Sequence, residues 1–283
     1  MCIRDRFISE QSGIPLNPNQ VTVFNGAYAA MRTIVLALPG RYVLMPEFTN
    51  HAQKMSVSAM GKIVVEVSMF APGWKIDLRD LRQKLDEFGV DISCMYIYHA
   101  LSADITESYL SELANLLAEY AVIPIFDIDV IKTAHTSVYS PLLAMSNEYF
   151  MQHGMFLFNM SKEFSAPGIR VGFGVASHGL VQQIKKFQQI SLEMVPPTSR
   201  YLAECILKSY DFPKATQHLV NRMKCLVEGL QSLEMEATLP NIGVNLFMHV
   251  PRSFEHSKQV LPDHLFSYYC LTRAGVILRP ASV

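Results

Sequence analysis

Short runs of consecutive apolar residues alternate, over the first two-thirds of the chain, with segments in which apolar positions recur every three to four residues. Val21–Phe24, Tyr42–Met45, Ile63–Val67, Ile92–Tyr98 and Val122–Phe126 are runs of the first kind and predict strands, the last of them stopped by Asp127. Residues 27–38, 50–60, 78–88 and 107–120 are of the second kind; in the last of these Leu110, Leu113, Leu116 and Leu117 share one helical face. Asn25-Gly26-Ala27 reads as a tight turn between the first strand and first helix, and Pro39-Gly40 closes that helix.

Strands that are apolar on both faces and separated by helices predict an α/β fold, a mostly parallel sheet sandwiched by helices. Ligands of such sheets lie beyond the carboxyl ends of the strands. From Pro196-Pro197 onward the pattern changes to longer helices (199–210, 213–233, 263–274) with strands expected at 243–250 and 276–278. A large domain over 1–197 and a smaller, partial α+β domain over 198–283 are therefore expected.

The composition narrows the function classes. Half of the 283 residues are hydrophobic, and 24 basic residues nearly balance 25 acidic ones. Charge-driven disorder is excluded, and a nucleic-acid or anionic-membrane surface is not expected. Mean hydropathy is +0.18, yet charged residues interrupt the apolar runs well before a membrane span is reached. The five cysteines are widely spaced with no C-x-x-C pair, so neither a disulfide framework nor a metal site is expected. Residues 1–6 lack the apolar stretch of a secretory signal. A cytoplasmic protein is the expectation.

Chemistry concentrates in one segment. The apolar run 155–158 leads into Asn159, Ser161-Lys162 and then Gly168, Arg170 and Gly172, the pattern S-K-x5-G-x-R-x-G. It sets a lysine at a strand end and an arginine eight residues later, with glycines that let the backbone fold back past it. Asp127, at the end of an apolar run, precedes the lysine by thirty-five residues.

In the order and spacing of these parts, together with Val23-Phe24-Asn25-Gly26-Ala27 and Pro46-Glu47-Phe48-Thr49-Asn50-His51, the chain resembles the class I/II aminotransferases over most of its length. These are pyridoxal-phosphate enzymes of fold type I. The resemblance implies an enzyme that moves an amino group between an amino acid and a 2-oxo acid, as a homodimer with pyridoxal 5'-phosphate as cofactor. It also implies roles. Lys162 is the Schiff-base lysine and proton carrier. Asp127 faces the pyridine nitrogen, with Asp129 as the competing carboxylate. Asn25, Gly26, Ala27, Asn159 and Arg170 hold the phosphate, and Phe48 stacks on the ring. His51 corresponds to a histidine that hydrogen-bonds the pyridine-binding aspartate in some members.

The pattern also departs from the family. Where the family carries an asparagine that bonds the cofactor's phenolic oxygen, this chain has His99, which can donate from a ring nitrogen instead. Val130 stands in place of a tyrosine that donates to the same oxygen, and Asn159 in place of a phosphate-binding serine. The arginine that clamps the substrate carboxylate and an N-terminal arm are expected outside the chain, which reads as a fragment with an unrelated leader at residues 1–6. Arg279 precedes Pro280 and is not assigned the clamp. The altered contacts keep open another pyridoxal-phosphate reaction (lyase, decarboxylase or oxidase), and a non-catalytic fold relative is the alternative from a different class.

Overall fold

The computed structural model describes residues 3–70, 74–98, 105–131, 142–191, 194–209, 211–240, 242–254 and 260–280. Its centre is a seven-stranded sheet of β1 (Val21–Phe24), β2 (Tyr42–Pro46), β3 (Ile63–Val67), β6 (Ile92–Tyr98), β7 (Pro124–Ile128), β8 (Met155–Asn159) and β9 (Gly172–Ala176), in the order β1-β9-β8-β7-β6-β2-β3. A two-stranded hairpin, β4 (Met69–Phe70) with β5 (Lys75–Ile76), lies apart. Within the seven-stranded sheet, only β9 runs against its neighbours. The other strands are parallel, so their carboxyl ends form one edge of the sheet.

The predicted helices appear as α2 (Ala27–Ala37), α3 (His51–Ser58), α4 (Leu78–Phe88) and α5 (Glu107–Glu119). Short polar caps begin three of them: Asn50 accepts from the amide of Ala52, Asp77 from that of Arg79, and Thr106 from that of Tyr109. Among the described residues, four further α-helices precede residue 210: α1 (Ile3–Ser12), α6 (Glu148–His153), α7 (His178–Ser191) and α8 (Pro197–Ser209).

The period-2 alternation of the central strands divides the core. Phe126, Ile128, Phe156 and Phe158 face one side, with Leu85, Leu113, Leu117 and Phe150. The Phe126 ring stacks on Phe156 at 5.1 Å and meets Phe150 edge-on at 4.8 Å. Each such buried ring contributes on the order of 2–3 kcal/mol by removal from water. Ile125, Leu157, Met45 and Tyr96 face the other side, against Met31 and Ile34 of α2 and Val181 and Ile184 of α7. Asp127, two residues after Ile125, shares the face turned toward α2.

Several expectations are corrected. The strand expected to stop before Asp127 begins at Pro124 and runs through Asp127 to Ile128; the carboxylate is tolerated inside it because a tyrosine hydroxyl meets it there. Residues 3–12 are helical, and Phe7 and Ile8 are buried in the main core, so the stretch read as an unrelated leader adjoins packed structure. The expected strands at 243–250 and 276–278 do not form; the first region contributes one isolated bridge, Ala237 with Met248. Apolar residues favour extended chain, but a strand also needs a neighbour to receive its backbone hydrogen bonds.

The chain divides into two compact units, Met1–Val220 with Pro240–Val244, and Asn221–Leu239 with Asn245–Val283. The division falls within α9 (Phe212–Ser232), beyond the boundary expected at 197/198. The physical reason is α8, whose Ala203 is buried in the same core as Phe7 of α1. In the second unit, Phe254 packs edge-on against Phe266 and Tyr269 of α10 (Pro262–Ala274), at 5.1 and 5.4 Å.

Candidate active site

Strand register gathers the chemistry at the carboxyl edge. Asp127 pairs with Tyr98 on β6 and with Leu157 on β8. Asn159 ends β8 opposite Gly172 of β9, and Gly172 in turn lies opposite Phe24, the last residue of β1. Lys162 therefore follows β8, Asn25-Gly26 follows β1, and Arg170 precedes β9 on the same rim.

Asp127 is only 4% exposed. Its Oδ2 accepts a 2.6 Å hydrogen bond from the Tyr96 hydroxyl, whereas its Oδ1 is buried and has no hydrogen-bond partner among the described residues. Burial and the nearby Asp129 carboxylate push the Asp127 carboxyl well above the usual range, and the Tyr96 bond opposes that rise. Burial and the two carboxylates also raise the Tyr96 phenol. Asp129, the competing carboxylate, is engaged on both oxygens: Tyr98 donates to Oδ2 at 2.8 Å and the Asn159 amide donates to Oδ1. A Tyr-x-Tyr on β6 thus faces an Asp-x-Asp that runs from β7 into the residue after it, and of the two carboxylates only Asp127 keeps an open oxygen. This pairing escaped the sequence reading. Its one signal is the shared i, i+2 spacing of Tyr96/Tyr98 and Asp127/Asp129, which places both pairs on one sheet face.

The loop after β8 is tied to the loop after β7. The carbonyl oxygen of the Asn159 side chain accepts from the amide of Ser161 at 2.9 Å, and buried Glu163 accepts from the amide of Ile131. Lys162 lies between these two anchors. It is exposed, and among the described residues its Nζ has neither a hydrogen-bond nor an ion-pair partner. Its carbonyl accepts from Ser165, closing the turn.

Gly26 caps α2 with φ +86° and ψ 171°, a conformation open almost only to glycine. A Cβ at that position would come within 2.6 Å of Arg170 Nη2, so the guanidinium packs directly on Gly26. Arg170 itself is left-handed (φ 52°, ψ 51°) and its Nη1 donates to the Pro167 carbonyl at 2.9 Å. No side chain caps α2, and its first-turn amides have no acceptor within the helix. Helix N-terminus and guanidinium together form an anion cradle.

The remaining expected residues behave differently. The Asn159 amide is directed to Asp129, so only its second N–H remains for a phosphate. Phe48, in the turn after β2, is half-buried and meets Trp74 edge-on at 5.2 Å. His51 is exposed at the start of α3 and Tyr96, not His51, donates to Asp127. Asn25 and Ala27 flank Gly26 and are half-buried. His99 lies outside the described residues. Val130 is buried in a small apolar cluster with Ile242, so the position where a tyrosine was expected is a packing point.

Residues 4–283 match the family Aminotransferase class I and II. The chain belongs to that family. Its members use pyridoxal phosphate to exchange amino groups between amino acids and 2-oxo acids. Among relatives, this aminotransferase chain is 23% identical over 284 residues to YugH of Bacillus subtilis (strain 168), a protein provisionally named as an aminotransferase, covering 98% of this chain and 72% of the relative. Its fold is similar to that of an aspartate aminotransferase from Thermotoga maritima, with a TM-score of 0.87 and 21% identity over 99% of this chain and 72% of the other. It is likewise similar to an aromatic aminotransferase from Pyrococcus horikoshii OT3, with a TM-score of 0.84 and 21% identity over 98% and 75%. At these identities the structural likeness carries the fold.

The residues present fit a pyridoxal phosphate. The orphaned Oδ1 of Asp127 needs a buried donor, which a protonated ring nitrogen provides, and the Gly26–Arg170 cradle suits a dianionic phosphate. Among the described residues no group of three potential metal ligands occurs, and no helix is long and apolar enough to cross a membrane.

Proposed function

We propose that this chain carries out its family's amino-group exchange through Lys162, with Asp127, Arg170 and the N-terminus of α2 holding the cofactor. The observation that carries the reading is the unpartnered Oδ1 of buried Asp127, on the strand next to the one that leads to Lys162. When bound, pyridoxal phosphate supplies an aldehyde for amine capture and a ring that withdraws electrons from the substrate Cα. Asp127 Oδ1 would accept a hydrogen bond from the protonated ring nitrogen and so favour the cationic ring. Arg170 would give the phosphate a two-pronged guanidinium contact and the first-turn amides of α2, with Gly26 and Ala27, would add donors. Lys162 Nζ would take the proton from the substrate Cα as general base.

The ring face of Phe48, the second N–H of Asn159, and His99 complete the proposed cofactor contacts, with Asn25 shaping the turn. A homodimer and a cytoplasmic location belong to the same proposal, on the family's general pattern. One observation favours a second reading, a different pyridoxal-phosphate reaction: Val130 offers no hydroxyl where the family carries one.

The test uses purified protein mixed with pyridoxal phosphate. A visible band should appear that borohydride fixes to the peptide containing Lys162, and Lys162→Ala should lose it. Retention of the fixed label by Lys162→Ala would overturn the assignment. Incubation with a panel of amino acids should release 2-oxo acids in step with amination of an added 2-oxo acid; release of ammonia, carbon dioxide or peroxide instead selects the second reading.

A further inference from the structure

We infer that Tyr96 is a positioning residue for the cofactor: its hydroxyl holds one oxygen of Asp127 so that the other is presented, open and fixed, to the ring nitrogen. This inference deepens the reading of Asp127 above and rests on it.

The argument begins with a carboxylate in an unusual place. Asp127 lies inside a strand buried throughout, on a face otherwise lined by Ile125, Leu157, Met31 and Ile34. A side chain there has rotational freedom unless something pins it, and a buried anion costs several kcal/mol unless bonded. Among the described residues Tyr96 is the donor to it, at 2.6 Å, from the neighbouring strand and itself 3% exposed. With Oδ2 held, the carboxylate plane is set and Oδ1 is left for a ligand. The second rung completes the selection. Asp129, two residues on and on the same face, is bonded by Tyr98 and Asn159. Without such partners it would compete for the ring nitrogen. Among the described residues the titratable groups facing Asp127 are Tyr96 from β6 and Asp129 just after β7, with Tyr98 facing Asp129; burial and the charge of Asp129 work against ionisation of Asp127 and the Tyr96 hydroxyl works for it.

The experiment measures the affinity of the full chain for pyridoxal phosphate from pH 5 to pH 9, by absorbance and by quenching of intrinsic fluorescence, with a thermal melt as the check on folding. Tyr96→Phe should weaken binding at least about tenfold, the scale of one hydrogen bond to a charged group. It should also move the acid limb of binding upward by about one pH unit, the same factor expressed as a pKa. Tyr149→Phe removes a hydroxyl that donates to the Leu117 and Val122 carbonyls, away from Asp127, and should leave that limb in place. Asp127→Asn should abolish the limb.

If Tyr96→Phe folds and binds with the native affinity and limb while Asp127→Asn loses both, Tyr96 is not a positioning residue and the Asp127 reading stands. If Asp127→Asn itself keeps the native affinity and limb, the Asp127 reading falls and takes this inference with it. Where Tyr96→Phe fails to fold, Tyr96→Met decides on the same readout: a folded protein whose acid limb lies above the native one supports the inference, and one with the native affinity and limb overturns it.

Discussion

Nη2 of Arg170 lies 2.6 Å from the point a Cβ on Gly26 would occupy, although the two residues belong to loops at the ends of β1 and β9. The antiparallel pairing of those strands puts Gly172 opposite Phe24, and the backbone of Gly172 comes against that of Gly26: a Cβ on Gly172 would stand 3.7 Å from the Gly26 Cα. The guanidinium, fixed by its bond to the Pro167 carbonyl, then reaches across the start of α2.

Gly26→Ala should therefore do two kinds of damage. Its φ of +86° and ψ of 171° strain any other residue by about 1–3 kcal/mol, and the new methyl displaces the guanidinium. Urea denaturation of the variant should show a loss of that size, and its affinity for pyridoxal phosphate should fall about tenfold or more. Unchanged affinity would mean that this cradle does not hold the phosphate.

Glu163→Ala removes the acceptor of the Ile131 amide, leaving a buried N–H without its partner. The expected cost is about 1–3 kcal/mol in denaturant titration, with a larger effect on the rate of amino-group exchange than on substrate KM, because the loop that carries Lys162 loses an anchor. Glu163→Gln keeps an acceptor and should recover much of the stability.

The raised carboxyl of Asp127 predicts how the cofactor-free protein responds to pH. A group whose folded pKa lies above its unfolded value stabilises the fold fully below the unfolded pKa, and that contribution is lost as pH rises through the folded pKa. Free of cofactor, the protein should lose stability as pH rises from the ordinary aspartate range through neutrality. Asp127→Asn should flatten that dependence. Urea midpoints of the two proteins at pH 5, 6.5 and 8 check this, and parallel curves would contradict it.

Phe126→Ala should cost about 3–5 kcal/mol. The ring is fully buried between Phe150 and Phe156 on the sheet face opposite Asp127. Calorimetry should show a lower Tm, while the pH limb of cofactor binding should stay where it is in the unsubstituted protein.

Much of this was legible in the chain itself. Continuous apolar runs such as Ile92–Tyr98 and Met155–Phe158 can only be buried on both faces, which requires a helix-covered parallel sheet. The glycine-rich spacing after Lys162 told of a backbone that folds back, and the resemblance to the aminotransferases named Asp127 and Arg170 at the family's intervals from it. Less legible were the segments whose form depends on a neighbour. Residues 243–250 look like a strand because their composition marks a tendency, but among the described residues they find only the single bridge of Met248 with Ala237. Residues 3–12 carry few apolar positions, and their helix is held by Phe7 and Ile8 packing into a core built elsewhere.

Local periodicity and turn residues thus determined the layering, because it depends on contacts a few residues apart or on burial alone, and the resemblance to the aminotransferases nominated the lysine, the carboxylate and the arginine. Which carboxylate oxygens of Asp127 and Asp129 are bonded, the contact of Tyr96 with Asp127, and the seating of Arg170 on Gly26 were decided by tertiary structure. They depend on strand register between segments 31 or more residues apart, and a shift of one residue would turn every one of those side chains to the opposite face.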